Sequence, residues 1–290
     1  MRTCYFYLLT FILIGATFKV KAQHNYLIQG VLTDTLNNPI EYANIGIFDQ
    51  NIGTVSDVNG NFQLFVPAEF LEDSITFSSI GFYTMRISIK QLVNNDSAMV
   101  CLIPKIERIK EIKVIAKPYK VKIRGAKTDT KKIILAVTGD TSSLGIENGT
   151  VINLPNKSPV KIKDVNFNIA SNYLDSAKFR LKIYTYSKNE IKECLLKENI
   201  YFSITKMDTG NYKVDLSNYN IFASNAVLVS IENIALYSAN TDNDRRFWDR
   251  INISGTLLTK GYRRKTSLGN WEKIPYSFAP GIWVTILKFK

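Results

Sequence analysis

Apolar and polar residues alternate with a period of two along most of this chain, the period of a half-buried β-strand. In residues 61–67 the side chains of Phe62, Leu64 and Val66 fall on one face, and polar residues occupy positions 61 and 63 on the other. Residues that enter the left-handed backbone region at low cost interrupt this part of the chain: Gly53, Asn59, Gly60 and Gly81. Residues 52–82 are therefore predicted to form two strands bounded by turns.

The second half of the chain, residues 133–290, repeats the alternation. Apolar residues recur at Val165, Phe167 and Ile169, at Phe179, Leu181 and Ile183, and at Val227, Val229 and Ile231. The intervening positions hold Asp164, Asn166, Asn168, Arg180, Lys182, Tyr184, Ser230 and Glu232. This pattern predicts antiparallel sandwich strands with one dry face and one wet face. The segment 282–289 is apolar on both faces, which predicts a central strand.

Composition supports an all-β fold for both halves. Tyr and Phe are abundant, at 15 and 16 residues, and turn signals such as Asp208-Thr209-Gly210-Asn211 separate the short alternating segments. We expect an N-terminal β-sandwich followed by a second antiparallel, jelly-roll-like β-sandwich.

The first half resembles a known family, the carboxypeptidase-like regulatory domains, which are transthyretin-like β-sandwiches of exported Bacteroidetes proteins. The matching motifs, in order, are Ile28-Gln29-Gly30-Val31, Pro39-Ile40-Glu41-Tyr42-Ala43-Asn44-Ile45, Gly53-Thr54-Val55-Ser56-Asp57, Asn59-Gly60-Asn61-Phe62 and Asp73-Ser74-Ile75-Thr76-Phe77-Ser78-Ser79-Ile80-Gly81-Phe82. The resemblance covers residues 26–103 and implies a module without catalytic activity.

A second resemblance follows directly. Residues 109–116 are similar to the short strand that follows this domain in outer-membrane receptors energised by TonB. In those receptors a plug and a long barrel come next, but too little chain follows Ala116 to supply them. We therefore do not expect a transporter.

The N-terminus predicts export. Arg2 precedes an apolar segment from Cys4 to Ala16, and Val20-Lys21-Ala22 is an A-x-A-like cleavage site. The apolar segment is shorter than the roughly 20 residues that span hydrocarbon, so we expect no transmembrane span after cleavage; the alternative is a retained anchor. The expected organisation is a signal peptide at 1–22, a regulatory domain at 23–104, a linker at 105–132 and a second domain at 133–290.

Net charge is concentrated in the predicted linker. The chain carries +12, but residues 105–132 hold 11 basic residues against three acidic ones. An exported protein meets no genome and the segment lacks interleaved aromatic residues, so nucleic-acid binding is not expected. The default interpretation is a solvated linker. The alternative is an electrostatic contact to an acidic envelope polymer, through Lys117, Lys120, Lys122 and Arg124.

The sequence contains no recognisable catalytic or metal-binding motif. Its single histidine, His24, lies at the second position of the expected mature chain, where termini are usually mobile. Asp57-Val58-Asn59-Gly60 partly resembles a calcium loop, but it has too few carboxylates and is better explained as a turn. Glu190 and Glu193 are close in sequence and are expected to be solvated charges. We expect no cofactor and no metal.

Aromatic residues give the one hint of a ligand. Trp271 lies in a loop-like segment and is a candidate sugar contact, as is Trp248, while packing is the competing role for both. Trp283, within the apolar terminal strand, is expected to be buried. Cys101 and Cys194 remain after signal cleavage; we expect buried free thiols, with a disulfide as the alternative.

The function expected from sequence is that of a non-enzymatic exported protein, in the periplasm or at the outer membrane, that binds or scaffolds an envelope protein or polysaccharide. A carbohydrate-binding module is the first alternative, and a hydrolase that uses only carboxylates is the second. The partner and the oligomeric state do not follow from the sequence.

Overall fold

The structure, a computed structural model, describes residues 25–95, 97–105, 118–138, 143–155, 158–238, 249–257 and 259–289. The expected signal peptide, His24, the segment 109–116, Lys117 and Trp248 lie outside these ranges. Within them no helix is long and apolar enough to cross a membrane.

The first domain consists of two small sheets packed face to face. One sheet has the strand order β4-β1-β7 and the other β3-β2-β5-β6. The strands are β1 (Asn25–Asp34), β2 (Asn44–Gly46), β3 (Gly53–Val55), β4 (Asn61–Pro67), β5 (Ser74–Ser78), β6 (Met85–Ser88) and β7 (Ala98–Leu102), with a short helix α1 (Ile89–Val93) between β6 and β7. Strand β7 runs parallel to β1, whereas β4 runs antiparallel to it.

The core of this domain lies between the two sheets. The alternation in β4 is confirmed, because Phe62, Leu64 and Val66 are buried together with Ile45 and Phe77 of the opposite sheet. The Asp57 carboxylate accepts hydrogen bonds from the backbone N–H of Asn59 and of Asn61, each at 2.8 Å. Gly60 follows with a φ of +77°. This segment is therefore a turn, as the sequence predicted.

The second domain is a larger sandwich. One sheet has the order β13-β12-β17-β10-β19-β20, with β14 beside β12; the other has the order β21-β18-β11-β22-β8, with β15 and β16 beside β11 and β9 beside β18. Its strands are β8 (Tyr119–Gly125), β9 (Ile134–Thr138), β10 (Glu147–Asn153), β11 (Val160–Asn172), β12 (Ser176–Ser187), β13 (Glu190–Cys194), β14 (Ile200–Thr205), β15 (Gly210–Asp215), β16 (Phe222–Ala223), β17 (Ala226–Tyr237), β18 (Arg250–Thr256), β19 (Gly261–Arg264), β20 (Trp271–Lys273), β21 (Ala279–Pro280) and β22 (Ile282–Phe289).

The dry face predicted for this domain is confirmed. The apolar residues of β11, β12 and β17 singled out from the sequence are all buried in one core between the two sheets. Strand β22 lies between β11 and β8, so it is the interior strand that its two apolar faces predicted. Trp283 is buried within it.

The wet face predicted for β12 and β17 is wrong. Arg180, Lys182, Tyr184, Ser230 and Glu232 are all buried. Residues of the first domain, Tyr42 and Asn44, contact Arg180 on this face, which period-two alternation alone does not reveal. The polar face of β11 is also partly covered: Asp164 and Asn168 are buried, and Ser254 Oγ, which donates to the backbone carbonyl of Thr130, is 2.9 Å from Asn168 Oδ1.

Two further expectations need correction. The segment 105–132 is not linker throughout, because Tyr119–Gly125 forms strand β8 and pairs with β22 along its whole length. Cys101 and Cys194 are both free, but Cys101 is exposed on β7 rather than buried.

The motif Ile28-Gln29-Gly30-Val31 has a steric explanation that gives a testable prediction. A Cβ atom added at Gly30 would lie 2.0 Å from the backbone carbonyl oxygen of Ala98 on β7. Gly30→Ala is therefore expected to separate β1 from β7 and to lower the free energy of unfolding by about 3 kcal/mol. Urea denaturation measures the change. Val31→Ala, one residue further along β1, is the matched control and is expected to cost less than Gly30→Ala; an equal cost would contradict the steric explanation.

Candidate functional site

Strand register gathers five charged side chains on one face of the β12-β17-β10-β19 sheet. Side chains two residues apart in a strand share a face, and directly paired residues are cross-strand neighbours. Arg180 pairs with Glu232, Glu232 with Glu147, and Glu147 with Arg264. Lys182 lies two residues from Arg180 on β12. Glu147, Arg180, Lys182, Glu232 and Arg264 are called the interdomain ionic cluster below.

Arg180 and Glu232 form the innermost ion pair of the cluster. Both side chains are 1% exposed, and the Glu232 Oε2 atom accepts from Arg180 Nε at 2.7 Å and from Arg180 Nη2 at 2.6 Å. Lys182 Nζ contacts the same oxygen at 2.9 Å. The Glu232 carboxylate is therefore paired with two cations in a site that water does not reach.

Glu147 forms the second anionic position and is fully buried. Its Oε2 atom is 3.5 Å from Lys182 Nζ and 3.7 Å from Arg264 Nη1, and it accepts from the Tyr184 hydroxyl at 3.3 Å. Its Oε1 atom accepts from Ser230 Oγ at 2.5 Å. Lys182 thus lies between the two carboxylates, and the cluster contains three cations and two anions, one positive charge in excess.

The first domain completes the coordination of Arg180. Arg180 Nη1 donates to the backbone carbonyl of Tyr42 at 2.7 Å, and Arg180 Nη2 donates to Asn44 Oδ1 at 2.5 Å. Asn44 Oδ1 also accepts from Ser267 Oγ at 2.9 Å. One guanidinium therefore holds the start of β2 against the second sandwich, and the loop between β19 and β20 adds a further contact.

Close backbone approach accompanies these hydrogen bonds. A Cβ atom added at Gly53, in the first domain, would lie 2.2 Å from the backbone carbonyl oxygen of Ser267. Tyr42 packs edge-on against Tyr201 with ring centroids 5.3 Å apart, and the Lys178 ammonium lies 4.7 Å from the centre of the Tyr42 ring. The two domains share a packed interface around the cluster.

Burial and charge act in opposite directions on the titrating groups of the cluster. Burial by itself raises the pKa of Glu232, but Arg180 and Lys182 outweigh burial and hold that pKa below its ordinary value of 4.5. Burial, followed by the charge of Glu147, raises the pKa of Tyr184 well above 10.0. The Tyr184 hydroxyl therefore stays protonated and remains a donor to Glu147.

The geometry of the cluster suits it to holding the domains together. A catalytic carboxylate must reach a substrate, whereas Glu147 and Glu232 are enclosed and paired with cations. A narrow crevice between the two sheets lies elsewhere, lined by Leu135, Val137, Asn148, Ile231, Asn233, Ile253 and Pro280. This crevice is too narrow to hold a water molecule. Among the described residues, no three His, Cys, Asp or Glu are placed to hold a metal ion.

Trp271 is the candidate for sugar stacking that lies within the described residues, and its ring already packs against two other side chains. The Arg264 guanidinium lies 4.5 Å from the centre of the Trp271 ring, and the Tyr184 ring packs edge-on with centroids 5.6 Å apart. Trp271 therefore orients Arg264 towards Glu147. Its role as a sugar contact stays a prediction, as does that of Trp248. Glu190 is exposed on β13, as is Glu193.

The three described candidates for an electrostatic contact share one strand. Lys120, Lys122 and Arg124 alternate on β8, and all three are paired in register with β22 neighbours. Each is solvent-accessible, and no ion pair within the described ranges joins them to a carboxylate. The structure places these three side chains together on one face of an edge strand.

Sequence reasoning missed the interdomain ionic cluster. It placed Arg180, Lys182 and Glu232 on a solvated face and did not single out Glu147 or Arg264. The available signal was opposite charge at alternating positions of two long apolar strands, β12 and β17. Strand pairing, which the sequence does not specify, was needed to make Arg180 and Glu232 neighbours.

Removing one cation tests the structural role of the cluster. Arg180→Met leaves the Glu232 carboxylate short of a partner and removes one donor from each of two first-domain acceptors, so the free energy of unfolding is expected to fall by about 3–5 kcal/mol. Lys206→Met is the matched control, because Lys206 forms an exposed pair with Asp175 at 3.2 Å that is worth less than about 1 kcal/mol. Urea denaturation compares the two. Similar losses in both variants would contradict a special role for Arg180.

The depressed pKa of Glu232 predicts an acid-sensitive interface. A carboxyl with a lower pKa in the folded state contributes stability above its unfolded pKa, and loses it as pH falls through the folded value. The unfolding free energy is therefore expected to decline as pH falls below 4.5, the ordinary value for this group. The double variant Arg180→Met with Glu232→Leu replaces the pair by apolar side chains and should lack that part of the decline. Identical pH profiles for wild type and double variant would contradict this assignment.

Comparison with known proteins gives a family match for the first domain. The search of curated protein sequences found no match. Among solved structures, the cysteine protease and lectin-like domains of Cwp84, a surface layer associated protein of Clostridium difficile, align at 14% identity over 56% of this chain and 37% of that chain, with a TM-score of 0.32. The clostridial cysteine protease Cwp84 after propeptide cleavage aligns at 11% identity over 82% and 52%, with a TM-score of 0.36.

Infectious bursal disease virus, strain Gx, aligns at 12% identity over 93% of this chain and 62% of that chain, with a TM-score of 0.24. This chain therefore spans less than two thirds of each of these structures, and the low scores establish no shared fold. The family model described as a CarboxypepD_reg-like domain matches residues 28–114. The first domain therefore matches the CarboxypepD_reg-like family, over residues 28–114, which are less than half of the chain.

Proposed function

We propose that this chain is an exported, non-enzymatic binding module of the cell envelope, in which a CarboxypepD_reg-like domain and a second sandwich act as one body. The observation that carries the proposal is the state of the buried carboxylates. Glu147 and Glu232 are the acids brought together in the second domain, and both are neutralised by cations within the interdomain ionic cluster. That arrangement favours a binding role over a catalytic one.

The domain interface supports a body that presents its surfaces in a fixed relation. Arg180 is bonded at once to Glu232 of its own sheet and to Tyr42 and Asn44 of the first domain. Separation of the domains would give up the hydrogen bonds from Arg180 to Tyr42 and Asn44, and a hydrogen bond to a charged group contributes about 1.5–3 kcal/mol, so the docked arrangement is favoured. Preorganisation of this kind favours binding, since little freedom is lost when a partner docks.

Export is supported by the N-terminal sequence, namely the apolar segment from Cys4 to Ala16 followed by Val20-Lys21-Ala22. An envelope location agrees with the resemblance of the first domain to modules of exported proteins. We place the protein in the periplasm or at the outer membrane, where it binds an envelope component.

Crosslinking in intact cells tests this proposal. The chain is expected in the envelope fraction with Gln23 as its first residue, crosslinked to a defined envelope component. When that component is then incubated with the purified chain, mass spectrometry should find it bound and chemically unchanged. Cells that lack the chain provide the control.

Two results would contradict the proposal. Conversion of the captured component into a product would show that the chain is an enzyme. Recovery of the chain from the cytoplasm with residues 1–22 still attached would remove the basis for an envelope role.

A further inference from the structure

Strand β8 forms an open edge of the second sandwich with two chemically different faces. It is the terminal strand of the order β21-β18-β11-β22-β8, and within the described ranges no strand pairs with its outer side. The Ile123 carbonyl accepts from Arg124 Nη1 at 2.9 Å, and the other outer backbone N–H and C=O groups are available to another strand. With seven residues, β8 is as long as an ordinary strand.

The first face of β8 is apolar and exposed. Tyr119, Val121 and Ile123 are 54%, 56% and 52% exposed. In register beside them on β22 lie Phe289 and Leu287. The Tyr119 and Phe289 rings are 6.2 Å apart, and Phe222 on β16 lies 6.2 Å from Phe289 on its other side. Exposed apolar residues are ordinary when isolated, but a continuous patch marks an interaction surface.

The second face of β8 is uniformly basic. Lys120, Lys122 and Arg124 occupy its alternate positions, and Lys288 of β22 pairs with Lys120 on the same face. No ion pair in the described part of the chain neutralises any of these four side chains. Strand β13, which ends the opposite sheet, instead carries mixed charges, with Glu190, Lys192 and Glu193. The β8 edge thus carries one sign of charge, whereas the β13 edge carries both.

We propose, building on the binding role above, that β8 receives an extended peptide segment of a partner protein in which acidic and apolar residues alternate. The segment adds to the sheet as a strand next to β8 and pairs with its free backbone groups. Its acidic side chains lie beside Lys120, Lys122 and Arg124. Its apolar side chains extend the patch formed by Tyr119, Val121 and Ile123.

Charge decides between this partner and a second copy of the chain. Pairing of two β8 strands edge to edge would place the lysines and Arg124 of one copy beside those of the other, and like charges directly opposite each other are destabilising. Lysines on an edge strand are a common protection against such self-association. An acidic strand at the same position is attracted to these cations. The basic face therefore disfavours a second copy of β8 and favours an acidic segment.

Fluorescence anisotropy tests this proposal. Synthetic peptides are titrated with the full chain, purified from the envelope. The probe is a capped peptide of about nine residues that alternates Val and Glu, long enough to cover β8 at roughly 3.3 Å per residue; the control peptide alternates Val and Lys. We expect the acidic peptide to bind, to bind less tightly as salt is added, and to protect the amides of residues 119–125 from hydrogen exchange. The basic peptide should not bind.

Charge reversal on the protein provides the second arm. The double variant Lys120→Glu with Lys122→Glu, at two exposed positions, is expected to weaken binding of the acidic peptide by about tenfold or more and to allow the basic peptide to bind. Lys192→Glu on β13 is the matched control, since it makes the same kind of charge change on another edge strand, and should leave both affinities unchanged.

Backbone methylation of the probe separates strand addition from simple charge attraction. Successive N–H groups of a strand point to opposite edges, so a peptide N-methylated at every Val and one N-methylated at every Glu should behave differently. One of them should lose binding and the other should keep it. Equal binding by both would overturn the proposal.

Other outcomes would also overturn it. These are amide protection outside 119–125, an unchanged affinity in the double charge-reversal variant, binding of an anionic polysaccharide in place of the peptide, or self-association of the chain through β8 in sedimentation. If the envelope component captured by crosslinking is still captured by the double variant, this inference fails while the proposed binding role stands. Conversion of that component into a product would instead defeat the proposed function.

Discussion

The buried guanidinium of Arg180 is the interaction on which the arrangement of this protein depends. A cation removed from water must regain its lost hydration through hydrogen bonds and an opposite charge. Arg180 does so only when Glu232 on β17 and the backbone and side-chain oxygens of Tyr42 and Asn44 in the first domain are all in place. The same side chain therefore stabilises the fold of the second domain and the docking of the first domain against it.

This requirement explains why polar residues occupy a buried surface between the domains. A purely apolar interface could be equally stable, but it would tolerate sliding and rotation. Hydrogen bonds from one planar group to three partners fix a single arrangement, since a guanidinium presents its donors in a rigid fork. The contribution of the cluster is thus orientation as much as stability. A fixed orientation is useful to a protein that presents surfaces to a partner.

Much of the fold could be predicted from the sequence because alternation depends on local geometry. The period-two patterns at Phe62–Val66, Val165–Ile169 and Phe179–Ile183 assigned the core faces correctly, and Asp57 with Gly60 predicted a turn that the structure contains. What alternation reports is that two sets of side chains point in opposite directions. It does not report what lies opposite the polar set, and the first domain lies opposite Arg180 and Glu232.

The same limit applies to the candidate sites. The sequence marks the predicted linker as a basic segment, but the place of Lys120, Lys122 and Arg124 on an edge strand depends on pairing of β8 with β22, which are far apart in sequence. Trp271 was identified as an aromatic residue in a loop-like segment, and its stacking on Arg264 depends on the β19–β20 pairing. Long-range register, rather than residue type, separates what could be predicted from what could not.

A double-mutant cycle across the domain interface tests the central claim most directly. Asn44→Ala in the first domain and Arg180→Met in the second are measured singly and together, and the coupling free energy is taken from the difference between the double variant and the sum of the single ones. If Arg180 joins the domains as described, the coupling should be about 1.5–3 kcal/mol, the range for a hydrogen bond to a charged group. Additive effects, with a coupling near zero, would contradict the account.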